Sequence, residues 1–334
     1  MENIDFLHVL IAVVSLVLLA VPGYVLVKCK LLKKGAAEAF STLVLYGCQP
    51  MLMIMGFQKT AYDPKIGLNM LIVAGLAFLV HFVMIGLVYL IIRNKDNDKK
   101  KNVARFASVF GNCGYMGLPF LQMLFSGTTH IGEILIYTSV VIAVFNLLTW
   151  SIGIFMITGD RKDISVKKAL LNPTIIGVAV GMILFFAVKT PIATALPDGT
   201  VGHAILSKLM QSINFLAETV TPLAMVVVGI KLADVKIKDL FLDKWAYITA
   251  VLKLIVMSVL SMLVVAFLPV SSTIKFAIFF TLSMPSATNT VMFSVQFGGD
   301  GDSASVMVLL STIFSIVTIP LTYLAFTGIF GVAI

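Results

Sequence analysis

The chain has 334 residues, of which 59% are hydrophobic and 12% charged. A soluble domain is about 45–50% apolar and about 25% charged, so in water this chain would expose a large apolar excess, and lipid is its better solvent. The net charge of +8 invites a nucleic-acid reading, but the basic residues sit in short gaps between apolar runs, where they act as topology signals instead.

The first apolar run, Phe6–Val27, follows MENIDF, which is acidic where a cleavable leader carries basic residues, so a retained span is expected. Nine further runs of spanning length succeed it, at Ala36–Phe57, Ile66–Ile92, Val103–Phe125, Ile131–Ile157, Pro173–Val188, Ile205–Leu232, Lys244–Leu268, Thr273–Phe297 and Ser303–Phe330. The sixth is short, and the third and fifth are long enough to tilt. Cys29, Cys48 and Cys113 are scattered without a CxxC pair and read as small apolar fillers.

Charge alternates along the chain. Of 24 Lys and Arg, 18 lie in or beside the gaps after the first, third, fifth and seventh runs, among them Lys33–Lys34, Lys99–Lys101, Arg161–Lys162, Lys167–Lys168, Lys236 and Lys238. Five lie in or beside even gaps (Lys59, Lys65, Lys189, Lys208, Lys275), and Lys253 falls inside a run. The positive-inside rule makes the odd gaps cytoplasmic and both termini external, in a multi-pass protein of the plasma (inner) membrane.

Five spans starting outside, followed by five starting inside, form an inverted repeat. The expected units are residues 1–157, a short basic linker at 158–172, and residues 173–334. Prolines support the division: Pro50 and Pro222 are 172 residues apart, Pro119 and Pro285 166 apart. Matched Gly/Pro-interrupted segments in two halves point to a transporter binding site.

The fourth span reads Gly111-Asn112-Cys113-Gly114-Tyr115-Met116-Gly117-Leu118-Pro119. Each Gly costs a helix about 1 kcal/mol relative to Ala and Pro about 3 kcal/mol, and Pro119 clashes with the carbonyl near Tyr115. Backbone groups freed in hydrocarbon must be satisfied by protein or by water in a cavity. The ninth span carries Met284-Pro285-Ser286-Ala287-Thr288-Asn289-Thr290, whose Ser, Thr and Asn supply hydrogen bonds to unwound backbone. If both spans break and cross, two helix N-termini, each carrying about half a positive charge, face one point and suit a carboxylate. The competing reading is a pair of simple kinks or close-packing faces.

FGNCGYMGLPF at 110–120 resembles the fourth-helix motif of the auxin efflux carrier family, and MPSATNTVMFSVQF at 284–297 resembles its ninth helix. TPLAMVVVGIKLA at 221–233 and IPLTYL at 319–324 resemble its seventh and tenth. The resemblance implies an all-α fold of about ten helices with the fourth and ninth broken and crossed, as in sodium/proton antiporters and bile-acid symporters. It implies a scaffold of spans 1, 2, 6 and 7, through which a homodimer would form, and a mobile remainder that moves as an elevator. Its implied substrates are organic anions such as auxin, malate or malonate, with Asn112, Pro119 and Pro285 as site residues by motif position; Gly114, Ser286 and Asn289 of the same two segments are further substrate-binding candidates. The gap between the fifth and sixth spans is too short for the large cytoplasmic loop of plant members.

Gln49 and Asn146 are further candidates to line the site, a kink beside Pro50 and a packing hydrogen bond being their alternatives. Glu218 is the acidic residue deepest in an apolar run and, with Thr288, a candidate for ion coupling, unless it stands in a wet vestibule. Lys253 is expected to snorkel or to pair with an acid, and His81 to make a packing hydrogen bond. No cofactor is expected. The chain reads as a secondary transporter of a small organic anion in a lipid bilayer. A cation- or proton-coupled carrier of the same fold is the alternative, and an intramembrane enzyme is disfavoured because HExxH and GxSxG are missing from the sequence.

Overall fold

The computed structural model describes residues 6–33, 35–160, 162, 167, 170–234 and 242–331, with the side chains of Asp234 and Phe330 excepted. Lys34, Arg161, Lys168, Lys236 and Lys238 of the basic gaps lie outside the described residues. Among the described residues, eight helices are long and apolar enough to cross a membrane. In chain order the helices are α1 (Phe6–Lys28), α2 (Ala36–Phe57) and α3 (Pro64–Ile91), then the short α4 (Lys99–Val109) and α5, a π turn Cys113–Gly117 running into Leu118–Leu124. There follow α6 (Ile131–Thr158), α7 (Pro173–Thr194, regular to Val188), α8 (Val201–Ala233) and α9 (Lys244–Ala266). The short α10 (Ser272–Ser283) and α11 (Asn289–Gln296) precede α12 (Gly301–Ile329).

The helices begin where the gaps supply caps. Asp63, Asp98, Asn172 and Asp243 each accept a hydrogen bond from the N–H two residues on, and Ser271 and Asp300 from the N–H three residues on. Pro64 and Pro173 occupy first-turn positions, where a missing N–H costs nothing. Polar residues thus collect at span ends, and between them the apolar helix satisfies its own backbone, as lipid requires.

Glycine sets how closely the helices pack. A Cβ on Gly23 would collide with Val226 O, and one on Gly229 with Ala20 O, so α1 and α8 cross in backbone contact. Gly177 lets α7 lie directly on the backbone of Pro50 in α2. These contacts, with α2 against α8, tie α1, α2, α7 and α8 together. Around the remainder, α3 packs on α6, α6 on α10, α9 on α10 and α12, and α4 on α9 and α12. The two groups meet where α2 touches α6 and α1 touches α12.

The expected fourth and ninth spans are each interrupted. The first interruption is not where Pro119 would place it. Backbone turns extended at Phe110 (φ −91°, ψ 114°), while Pro119 sits in the first turn of the regular part of α5. The π turn ahead of it has already shifted the hydrogen-bond ladder, so the missing N–H of Pro119 does not break the helix. In the second interruption Met284 is extended (φ −61°, ψ 149°), the conformation that a following proline, here Pro285, enforces. Pro119 and Pro285 therefore play different parts despite their matched spacing.

Candidate substrate site at the crossing of two interrupted helices

The two extended breaks pair with each other as a minimal antiparallel bridge, Gly111 opposite Ser286. Asn112 N–H donates to Pro285 O (2.7 Å), and Ala287 N–H donates to Phe110 O (2.9 Å). Unwound backbone that lipid would penalise is thus satisfied across the crossing. Ser286 stitches the same place: its hydroxyl donates to Ala107 O (2.9 Å), and its N–H donates to Ser311 Oγ (3.1 Å). Phe106, Phe110, Phe145 and Phe293 pack around it, with ring centroids 4.7–5.9 Å apart.

Lys253 completes the crossing from α9. It is fully buried, and its ammonium donates to Leu282 O (2.9 Å) and Val109 O (3.4 Å), the carbonyl ends of α10 and α4. It neither snorkels nor pairs with an acid; its partners are backbone carbonyls that carry the negative ends of two helix dipoles. Gly111 makes room for it, since a Cβ there would lie 2.7 Å from both Cε and Nζ of Lys253.

The other ends of the break, the N-termini of α5 and α11, face a polar pocket. Neither Asn112 nor Thr288, the residues before these helices, makes a side-chain cap. In the first turns Cys113 N–H bonds Gly111 O (2.8 Å) and Thr290 N–H bonds Ala287 O (3.0 Å), so what the two N-termini offer the pocket is mainly the positive ends of their dipoles. The pocket is lined by four carboxamides, Gln49, Asn112, Asn146 and Asn289, together with Gly111, Gly114 and Tyr115. Its volume of about 20 Å³ is room for one water-sized group. Gln49, Asn112 and Asn146 are buried, at 3%, 4% and 3% exposure. Gln49 Oε1 and the Tyr115 hydroxyl are buried without a hydrogen-bond partner among the described residues. Asn146 Nδ2 donates to Ile142 O (2.9 Å), which fixes its amide beside the pocket.

Leu45, Tyr115 and Asn289 also line a second cavity of about 290 Å³, so the two adjoin. The larger one runs between α2 and α8 on one side and α11 and α12 on the other, walled by Val227, Val228, Val291, Met292, Val308 and Leu309. Thr288 lines it, with its hydroxyl buried and without a hydrogen-bond partner among the described residues. The cavity reaches Glu38 in the first turn of α2, Lys231 near the end of α8 and Gln296 at the end of α11. It therefore opens at the end of the molecule where the basic gaps after α1 and α8 lie.

Of the residues singled out from sequence, Gln49, Asn112, Gly114, Asn146 and Asn289 come together in one pocket, and Thr288 lines the adjoining cavity. Ser286, Pro285 and Pro119 are buried in the framework, outside the lining of either cavity. Glu218 lies exposed on α8, where its carboxylate accepts a hydrogen bond from Asn214 Nδ2 (2.7 Å), outside the lining of both cavities. His81 bonds Ala77 O through Nδ1 (2.7 Å), one helical turn away. Sequence reasoning did not single out Tyr115 or the pair Glu38–Lys231. Tyr115 lay within the glycine-rich motif, whereas Glu38 and Lys231 sit 193 residues apart with no local signal linking them.

Membrane-crossing helices gathered around two interrupted ones, with a polar pocket at their crossing, define a multi-pass membrane transporter. The profile of the membrane transport protein family matches residues 8–323, and the chain belongs to that family, the auxin efflux carriers. It is also similar to an uncharacterized transporter of Methanocaldococcus jannaschii, 24% identical over 311 residues, covering 92% of this chain and 96% of the relative.

Proposed function

We propose that this transporter is a secondary carrier of a small organic anion, whose carboxylate binds among Gln49, Asn112, Asn146 and Asn289. The observation that carries this reading is the paired break, Asn112 N–H to Pro285 O and Ala287 N–H to Phe110 O. It holds two helix N-termini against one pocket of carboxamides, an arrangement that attracts negative charge without a lysine or arginine in the pocket. The aliphatic walls of the 290 Å³ cavity support an anion with an apolar body, such as an aromatic acetic acid, ahead of malate or malonate.

In this reading the molecule is a ten-span inverted repeat in the plasma membrane, α4–α5 and α10–α11 each counting as one interrupted span. Reciprocal packing supports it: α1 lies on α8 and α7 on α2, both through glycine. The basic gaps face the cytoplasm, so the cavity is open inward. The group α1, α2, α7 and α8 is the scaffold, and a second copy docks on it. The remaining helices carry the crossing past it as an elevator. An inside-negative potential favours exit of an anion by about 2.3 kcal/mol per charge per 100 mV, enough to drive export without a coupled ion.

The test is counterflow in proteoliposomes with labelled phenylacetate, lactate, malate and malonate, with and without sodium and proton gradients. Saturable exchange of one acid is expected. In Asn112→Ala it should fall about ten-fold or more, the scale of a lost hydrogen bond to a charged group. Wild-type exchange in that variant would sink the assigned site.

A further inference from the structure

Among the described residues the lining of the large cavity holds one cation and one anion, Lys231 and Glu38, and they are paired to each other across α8 and α2 at 2.7 Å. The pair is lopsided. The Glu38 side chain is 65% exposed and that of Lys231 27%. The carboxylate therefore keeps most of its water whether or not it holds the ammonium. Lys231 itself lines a space otherwise walled mainly by aliphatic side chains.

An anion crossing from water to the carboxamide pocket must pass this aliphatic stretch, where an uncompensated charge is costly. Lys231 stands at its outer end. An exposed ion pair is worth little, so an incoming carboxylate can replace Glu38 on Lys231 at small cost, while Glu38 swings into solvent. We infer that the Glu38–Lys231 pair is an exchangeable first binding station for a carboxylate, on the side where the cavity opens, ahead of the pocket at the crossing. The inference rests on the anion-carrier reading above. Lys231 supplies the counter-charge at this station, and Glu38 is a built-in competitor that sets how tightly it holds.

The pair has a competing explanation as a strut. Glu38 in the first turn of α2 and Lys231 near the end of α8 are both where helix dipoles favour them. The two roles differ in sign. For a strut, Lys231→Gln and Glu38→Gln are equivalent losses, and the exchanged pair Glu38→Lys with Lys231→Glu restores the wild type. For a binding station, Glu38→Gln frees the ammonium and Lys231→Gln removes it.

Uptake of labelled phenylacetate is measured in inside-out and in right-side-out membrane vesicles, with malonate as the second probe. With substrate presented on the basic-gap side, Glu38→Gln should lower the half-saturating concentration about two- to five-fold, and Lys231→Gln should raise it by a similar or larger factor. Maximal rates should stay near wild type, half-saturation from the opposite side should not move, and the exchanged pair should remain weak. If the wild type transports and both single variants shift in the same direction, or the exchanged pair recovers, the station is refuted while the carrier reading stands. If the wild type moves neither probe, the carrier reading falls and takes the station with it.

Discussion

Gln49 reaches the crossing only because residue 114 has no side chain. A Cβ at Gly114 would stand 2.5 Å from Gln49 Nε2, well inside any tolerated contact, and the amide would have to leave. The glycine is required here for close approach and not for an unusual dihedral, since it lies in a π turn. Gly114→Ala should therefore act through Gln49. We expect transport to drop about as far as in Gln49→Ala, with the double variant no worse than either single one. Counterflow on the three variants gives the coupling directly. Additive losses would mean that the two positions serve the pocket independently. The same logic holds at Gly111, which leaves space for Lys253, a residue whose charge is spent on two backbone carbonyls and not on the substrate.

At the level of elements, the two breaks are held by different chemistry. Between α10 and α11 the following proline drives Met284 out of the helix, whereas between α4 and α5 Phe110 turns extended and Gly111 bridges to Ser286. Four π turns, at Leu43–Cys48, Cys113–Gly117, Thr149–Gly153 and Leu252–Val256, follow the same theme. Each contains or lies within three residues of a residue of the crossing: Gln49, Gly114, Asn146 or Lys253. Single π turns absorb a disturbed hydrogen-bond ladder and recur at functional sites. Replacing Pro285 by Ala removes a penalty of about 3 kcal/mol against helix at that position. Pro285→Ala is expected to close the gap between α10 and α11, to loosen the bridge to Asn112 and to cut the transport rate severely, with normal yield of folded protein. Unchanged turnover would show that Ser286 and the bridge alone keep the break open.

Across the whole molecule, the two helix groups are apart at one end and together at the other. Near the basic gaps the 290 Å³ cavity separates α2 and α8 from α11 and α12. At the far end α2 and its following loop close on α6, where a Cβ on Gly56 would lie 3.2 Å from Ser139 Oγ and one on Gly132 2.8 Å from Thr60 Cβ. The cavity thus lies toward the basic-gap end, while at the other end α2 is closed on α6. A cysteine placed at Ser305, in the cavity lining, should react with a membrane-impermeant thiol reagent from the basic-gap side and be protected from the other. Cys29, the exposed native thiol, is first changed to Ser, since Cys48 and Cys113 are buried. Equal labelling from both faces would contradict a sealed far end. Substrate should slow the labelling by occupying the cavity.

The sequence by itself determined the solvent, the helical class, the transporter family and the limits of most spans, down to Ala36–Phe57 residue for residue. Those properties are local: in lipid a segment must be apolar for about 20 residues, satisfy its own backbone and leave its charges at the ends. The polar residues of the crossing were visible too, because Asn112, Gln49, Asn146 and Asn289 interrupt apolar runs. Only the tertiary structure decided where the fourth segment breaks, since Pro119 is accommodated behind a π turn and the partner that draws Gly111 into an extended bridge lies 175 residues away, at Ser286. It alone decided that Lys253 would meet Val109 and Leu282, and that Glu38 would meet Lys231. Such pairings depend on how separate helices lie against one another, and glycines such as Gly23, Gly177 and Gly229 set that distance through contacts that no local stretch of sequence encodes.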